Sequence, residues 1–275
     1  MENFHNLVVI VAGGSGGIGR QVCRLLARRG ATVVIASRQG DALIDELGAA
    51  GAHCIWKAAD LRFAETWETL IAEVVGTYSR LDAVIHCEGI LIPGAFDQLS
   101  AAEIERVVRT NLFGVLHGTR CTIPVMKRLG GGHIIVLGSL GGVIPMAHQA
   151  LYSASKFAVR GFCLALQEEL RDTTVRLSLL SPSSVRTPML DREAAHPGST
   201  IAFVTSPISP ETIAAAVINL LEHPQREVVL PRWAGIGARG VHSFPGVLSL
   251  LTPLLKRLGR KGQQRYLEAQ GRRTS

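Results

Sequence analysis

Leu7-Val-Val-Ile-Val-Ala12-Gly13-Gly-Ser-Gly-Gly17-Ile-Gly19 runs six apolar residues directly into a turn with five glycines in seven positions. An unbroken apolar run, rather than an alternating one, marks a strand covered on both faces. A helix is expected over 17–29, with Val22, Leu25 and Leu26 on its apolar side. A strand that turns on glycines into a helix suits a bound phosphate. Glycine lets the backbone approach the anion, and the helix start offers free N–H groups and a favourable dipole. Two registers fit: Gly14-x-Gly16-x-x-Gly19, the common dinucleotide fingerprint, and Gly13-x-x-x-Gly17-x-Gly19. A tight strand–helix turn without ligand is the plain alternative.

Outward from this turn the alternation continues. Extended runs are expected at 32–36, 53–56, 83–86, 133–137, 175–180 and 227–230. Helical runs are expected at 42–50, 64–75, 103–126 (interrupted near Asn111 or Gly114), 153–170 and 211–221. Strands separated by helices pair in parallel through right-handed crossovers. The fold class is therefore α/β: a single-domain, Rossmann-type, doubly wound parallel sheet flanked by helices over 1–231, with a C-terminal apolar/basic extension over 232–275. A hydrophobic content of 47% is enough to cover both faces of such a sheet, and 5% aromatics is too few for base-stacking platforms.

The net charge of +7 is local: residues 232–275 hold nine Lys/Arg and a single acid, Glu268, leaving 1–231 nearly neutral. That distribution gives no support to nucleic-acid binding. Cys23, Cys54, Cys87, Cys121 and Cys163 are scattered and form no Cys-x-x-Cys pair, as expected of a reduced, cytoplasmic setting. The run 7–12 is too short for a secretion signal. The nine histidines form no His-x-x-x-His pair, so no metal site is expected.

The end of the second strand discriminates between coenzymes. NAD-binding chains usually place an acid there to hold the ribose hydroxyls. Here the residues are Ser37 and Arg38, and a guanidinium can pair with a 2′-phosphate. NADP(H) is favoured; nearby Asp41 keeps NAD(H) open. Downstream, Tyr152-Ser-Ala-Ser-Lys156 puts a phenol and an ammonium on one helix face. A cation beside a phenol favours the phenolate, so the pair suits proton exchange with an alkoxide.

With the glycine turn, Asn111, Ser139, Tyr152 and Lys156 in order, residues 7–230 resemble the classical short-chain dehydrogenase/reductase family, whose usual glycine spacing is the second register. The resemblance implies a catalytic tetrad. Tyr152 would be general acid and base, and Lys156 would lower its pKa and hold the nicotinamide ribose. Ser139 would polarise the carbonyl, and Asn111 would hold a relay water at a helix kink. It also implies coenzyme contacts from Gly13, Ser15, Gly16, Gly17, Ile18, Gly19, Ser37, Arg38, Asp60, Leu61, Cys87, Gly89, Tyr152, Lys156, Pro182, Val185 and Thr187. Asp60 would meet the adenine amine; Val185 and Thr187 would meet the carboxamide. A homodimer or homotetramer is implied as well.

Three departures stand out. Ala12 replaces the family threonine, His86-Cys87-Glu88-Gly89 replaces Asn-Asn-Ala-Gly, and Ser183 replaces a glycine. Glu88 would repel a polyanion unless it points away or is paired. The loop 140–149 and the segment after Thr187 are largely apolar, which suits a lipophilic ketone or secondary alcohol. His148 is expected to be a surface or structural residue, with orienting a polar substituent of the substrate as the alternative. The apolar run 241–255, broken by Pro245 and Pro253, is too short to span a membrane. With the basic residues after it, it reads as a lid, an anionic membrane contact or a dock for an acidic carrier protein. The expected function is NADP(H)-dependent ketone/alcohol interconversion. A catalytically silent coenzyme sensor, or a dehydration or epimerisation on the same site, are the alternatives.

Overall fold

A computed structural model of the chain describes residues 4–47, 53–235, 237 and 245–271. Seven parallel strands form one sheet: β1 (Val8–Ala12), β2 (Thr32–Ser37), β3 (Cys54–Ala58), β4 (Ala83–His86), β5 (Gly132–Leu137), β6 (Val175–Pro182) and β7 (Glu227–Leu230). Their order is β3-β2-β1-β4-β5-β6-β7, so the winding reverses between β1 and β4. Ala12 pairs with Ala36 on one side and His86 on the other, which aligns three strand ends on one crevice. Ligands of doubly wound sheets bind at such a switch point.

Both faces are covered, as the continuous apolar strands require. Val9 and Val11 meet Val22 and Leu26 of α1 (Gly17–Arg28) and Ile213 and Val217 of α8 (Pro210–Glu222). Val8 and Ile10 meet Trp67 of α3 (Ala64–Tyr78), Val115 of α5 (Gly114–Arg128) and Val159 of α6 (Ala150–Glu169). Each fully buried Val or Ile contributes about 1.5–3 kcal/mol. The short α2 (Asp41–Leu47) follows β2; the rest of the helix expected to residue 50 lies outside the described residues.

The long helix expected over 103–126 is divided. α4 (Ala101–Val108) begins with a capping box of Ser100 and Glu103 and ends in one π-helical turn, Arg109–Phe113, before α5 continues. Asn111 is at the centre of that turn, fully buried.

Two helices lie on the substrate side; Thr187-Pro188 was one reading for the start of the first, and the second was not expected as an element. α7 (Pro188–Ala194) starts with its proline at the first turn, where a missing N–H costs nothing. α9 (Pro245–Gly271) runs through Pro253 as one helix. Tertiary contacts hold it: a Cβ on Gly259 would lie 2.0 Å from the Thr200 carbonyl oxygen, and one on Gly262 2.1 Å from that of Phe203. Gln263 Nε2 donates to Ala194 O at 2.8 Å and His196 O at 2.9 Å, and Tyr266 donates to Asp191 Oδ1 at 2.7 Å. Residues 241–244 of the apolar run lie outside the described residues.

Candidate active site

The glycine turn is built to steric limits. Gly13 has φ +69°, and a Cβ there would stand 2.8 Å from the Glu88 backbone. A Cβ on Gly17 would meet Thr187 Cγ2 at 2.6 Å, and one on Gly19 the Gly13 carbonyl at 2.4 Å. The tightest positions are thus those of the Gly13-x-x-x-Gly17-x-Gly19 register. No side chain caps α1, which leaves its first N–H groups available to an anion. Gly19 is buried beneath the turn and borders neither cavity.

Two cavities of about 500 and 510 Å³ meet along Ser15, Gly16, Cys87, Glu88 and Gly89. The first is bordered by Gly13, Ser37, Arg38, Asp60 and Leu61. The second is bordered by Gly17, Ile18, Ser139, Tyr152, Lys156, Pro182, Val185 and Thr187. Arg38 borders the first cavity and Asp41 does not. The Ser37 hydroxyl is already engaged, donating to Gln39 O at 2.8 Å.

Asp60 is held by a second arginine that sequence reasoning missed. Arg62 Nε donates to Oδ1 at 2.8 Å and Nη2 to Oδ2 at 2.5 Å, which keeps the Asp60 carboxyl below its ordinary range. Arg62 also borders the cavity, so two guanidiniums face the space beyond the second strand. The i, i+2 spacing of Asp60 and Arg62 was the available signal.

The unusual residues after β4 close on one another. Glu88 turns inward and its Oε1 lies 2.7 Å from His86 Nδ1, with both side chains almost fully buried. The His86 ring packs against Trp67, centroids 5.1 Å apart. Gly118 makes room for both rings: a Cβ there would be 2.5 Å from His86 Cε1 and 2.6 Å from Trp67. Ala12 lies in the same packed layer as Trp67. A histidine–tryptophan pair therefore fills the space, and Glu88 is paired through Oε1 with His86 while still bordering both cavities. Ser183 is not among the residues with positive φ, so the missing glycine imposes no strain there.

Ser139, Tyr152 and Lys156 border one cavity, and Asn111 borders neither but lies near Lys156 across Gly89. α6 begins at Ala150, three residues before the expected start, so Tyr152 is in its first turn. Burial pushes the Tyr152 phenol up to about 12, opposed by a hydrogen bond with Ser139 and assisted by the charge of Glu193. Ser139 Oγ also accepts from Gly141 N–H at 3.0 Å. Lys156 Nζ donates to Leu137 O at 2.9 Å, so in this arrangement the ammonium faces a strand end. Burial pushes Lys156 down from its ordinary value, and the Glu88 charge opposes that.

Asn111 Oδ1 accepts from Ile90 N–H at 2.8 Å, while Nδ2 donates to Ile90 O at 2.9 Å and Ser155 Oγ at 3.0 Å. An atom added to Gly89 Cα would stand 3.6 Å from Lys156 Nζ and 3.7 Å from Asn111 Oδ1. Glycine at 89 thus leaves open the gap between amine and amide.

On the substrate side the lining is apolar, with Leu140, Ile144, Met146, Met189, Leu190 and Leu255. Leu255 belongs to α9, and Trp233, 64% exposed, stands at the same cavity. His148 is exposed and stacks beside His196, ring centroids 5.4 Å apart. Sequence reasoning missed one polar pair: Gln149 Nε2 donates to Glu193 Oε1, and both residues border the cavity. Burial pushes the Glu193 carboxyl up to about 7.

The family model for short chain dehydrogenases matches residues 7–198. The ketoacyl reductase HetN of Nostoc is 30% identical over 233 residues, 84% of this chain and 80% of its own. A metagenomic short-chain oxidoreductase solved with NADP superposes with TM-score 0.69 at 29% identity, covering 82% of this chain and 96% of that one. A short chain dehydrogenase/reductase of Burkholderia phymatum solved with NAD gives TM-score 0.80 at 22% identity, covering 90% and 96%. The chain belongs to the short-chain dehydrogenase/reductase family and is an oxidoreductase that works with a nicotinamide dinucleotide.

Proposed function

We propose that this protein interconverts a lipophilic ketone and its secondary alcohol with NADP(H), using Tyr152 as the proton donor and acceptor. The observation that carries the reading is a phenol, bonded to Ser139, at the floor of an apolar cavity that opens directly into the cleft of the glycine turn. The residues fit a dinucleotide: side chains at Gly13 or Gly17 would fill the cradle, and the α1 N–H groups have no capping side chain. When bound, the nicotinamide supplies or accepts the hydride.

The chain's own residues do the rest. Tyr152, held protonated at neutral pH by burial, gives its proton to the carbonyl oxygen in the reductive direction. Ser139 donates to the same oxygen and polarises the carbonyl. Lys156 is close to the open gap at Gly89, where a water can link it to Asn111 and pass a proton to solvent. The similar ketoacyl reductase supports reduction of a ketone. The sensor alternative drew on Ala12 and His86–Glu88; the pairing of Glu88 with His86 and the packing of His86 on Trp67 support the catalytic reading over it. Pairing of the helices bearing Asn111 and Tyr152 into a homodimer or homotetramer, in the cytoplasm, completes the reading.

Arg38 and Arg62 are our basis for NADP(H) over NAD(H), and the NADP-bound relative agrees. Arg38→Asp removes one guanidinium and adds a repelling charge. The ratio of kcat/KM for NADPH over NADH is expected to fall by about 10- to 100-fold, the worth of one or two charged hydrogen bonds. An unchanged ratio would remove the 2′-phosphate contact from the account.

The outer face of α9 supports a membrane contact. Leu250, Leu254 and Leu258 form an exposed stripe, with Arg257 and Lys261 on the same side. No described helix is long and apolar enough to cross a membrane, so the contact would be at the surface. The full-length chain is expected to sediment with phosphatidylserine-containing vesicles at low salt and to be released by high salt. Absence from the vesicle pellet at both salts retires the membrane and leaves an acidic carrier protein or a simple lid.

A further inference from the structure

The Gln149–Glu193 pair has more hydrogen-bonding capacity than the protein fills. Glu193, on α7, is only 6% exposed, and Gln149, the N-cap of α6, only 2%. Among the described residues no Lys or Arg forms an ion pair with Glu193; its neighbour Arg192 is exposed. Its hydrogen bond is the one from Gln149 Nε2. Gln149 Oε1 is buried without any partner. A carboxyl group in apolar surroundings, supported by a single amide, is costly to bury. A clamp between two helices could be made from a hydroxyl and a carbonyl at far less cost.

The place of the pair explains the expense. Gln149 precedes Tyr152 by three residues at the start of α6, and positions three apart are about 5–6 Å from one another on a helix. Glu193 is near enough for its charge to be felt by the phenol. Around them the cavity is bordered by Met146, Met189, Leu190 and Ala202, with Arg192 and Thr205 as polar neighbours. A strong acceptor held by Gln149 is thus placed in the same cavity as the proton donor.

Resting on the reductase reading, we infer that Glu193, oriented by Gln149, is the specificity residue of the site. It selects ketones that carry a second hydrogen-bond donor, a hydroxyl or an ammonium, about a ring's width from the carbonyl. The donor makes a hydrogen bond to the carboxyl oxygen left free by Gln149. An apolar analogue of the same shape would leave that buried oxygen desolvated and unpaired, which costs more than the lost bond itself.

The test compares 4-hydroxycyclohexanone, 4-aminocyclohexanone and the near-isosteric 4-methylcyclohexanone, each with NADPH. The wild type is expected to favour at least one donor-bearing ketone over the methyl compound by about 10- to 100-fold in kcat/KM. Which of the two donors gains more distinguishes hydroxyl from ammonium recognition. Glu193→Leu is expected to collapse the ratio towards one, and Gln149→Met to reduce it, with the NADPH dissociation constant unchanged in both. Glu193→Gln, isosteric and less disruptive, serves if the leucine variant does not fold; it should retain part of the preference for the hydroxyl and lose that for the ammonium. A wild-type ratio near one, or equal losses on all three ketones in the variants, assigns the pair a purely structural role and overturns the inference while leaving the reductase intact. Failure of the wild type to reduce any ketone would overturn the reductase reading, and this inference with it.

Discussion

Tyr152→Phe is expected to lower kcat/KM by about 10²- to 10⁴-fold, the usual worth of a positioned general acid, while NADPH still binds. The substitution removes one oxygen and keeps the ring. That ring is 9% exposed in the first turn of α6, so the packing of the cavity floor survives. What disappears is the proton that neutralises the forming alkoxide, together with the hydrogen bond to Ser139. Ser139 alone can polarise a carbonyl, but it has no comparable route by which to replace a proton. Coenzyme titration by fluorescence and turnover by absorbance separate the two effects. Full activity in the phenylalanine variant would end the assignment of Tyr152 as acid.

Gly13→Val is the second large effect, and it acts on the coenzyme and the fold together. Gly13 has φ +69°, where a β-branched side chain is strained by about 1–2 kcal/mol. Its Cβ would also stand 2.8 Å from backbone atoms of Glu88, which cannot rotate away. Forcing β1 and β4 apart at the switch point adds about 1–3 kcal/mol of overpacking. The expected total of about 2–5 kcal/mol is a large part of the usual 5–15 kcal/mol stability of a domain. A clearly lowered melting temperature and loss of NADPH binding are expected. Wild-type affinity in this variant would show that the turn does not cradle the coenzyme.

The sheet could be read from sequence because each strand announces itself locally. Runs such as 7–12 and 133–137 are apolar throughout, and that alone requires cover on both faces. The interruption near Asn111 was visible as well, since the asparagine falls inside a long helical run. Features that depend on distant partners were not visible. The Gln149–Glu193 bond joins residues 44 positions apart, and neither residue is remarkable in its own segment. Glu88 looked like a threat to a polyanion because its partner, His86, reads as part of a strand. α9 looked broken at Pro253, whereas the close approach of Gly259 and Gly262 to Thr200 and Phe203 holds it as one helix. The spacing put Lys156 on the face of Tyr152, but sharing a helix face does not fix where a flexible amine points; here it reaches the Leu137 carbonyl.

The most direct test of hydride transfer in this cleft uses NADPH carrying deuterium at nicotinamide C4, on the transferred face, and any ketone the protein reduces. Mass spectrometry of the product should find one deuterium on the former carbonyl carbon. Product alcohol with only protium at that carbon would contradict the account.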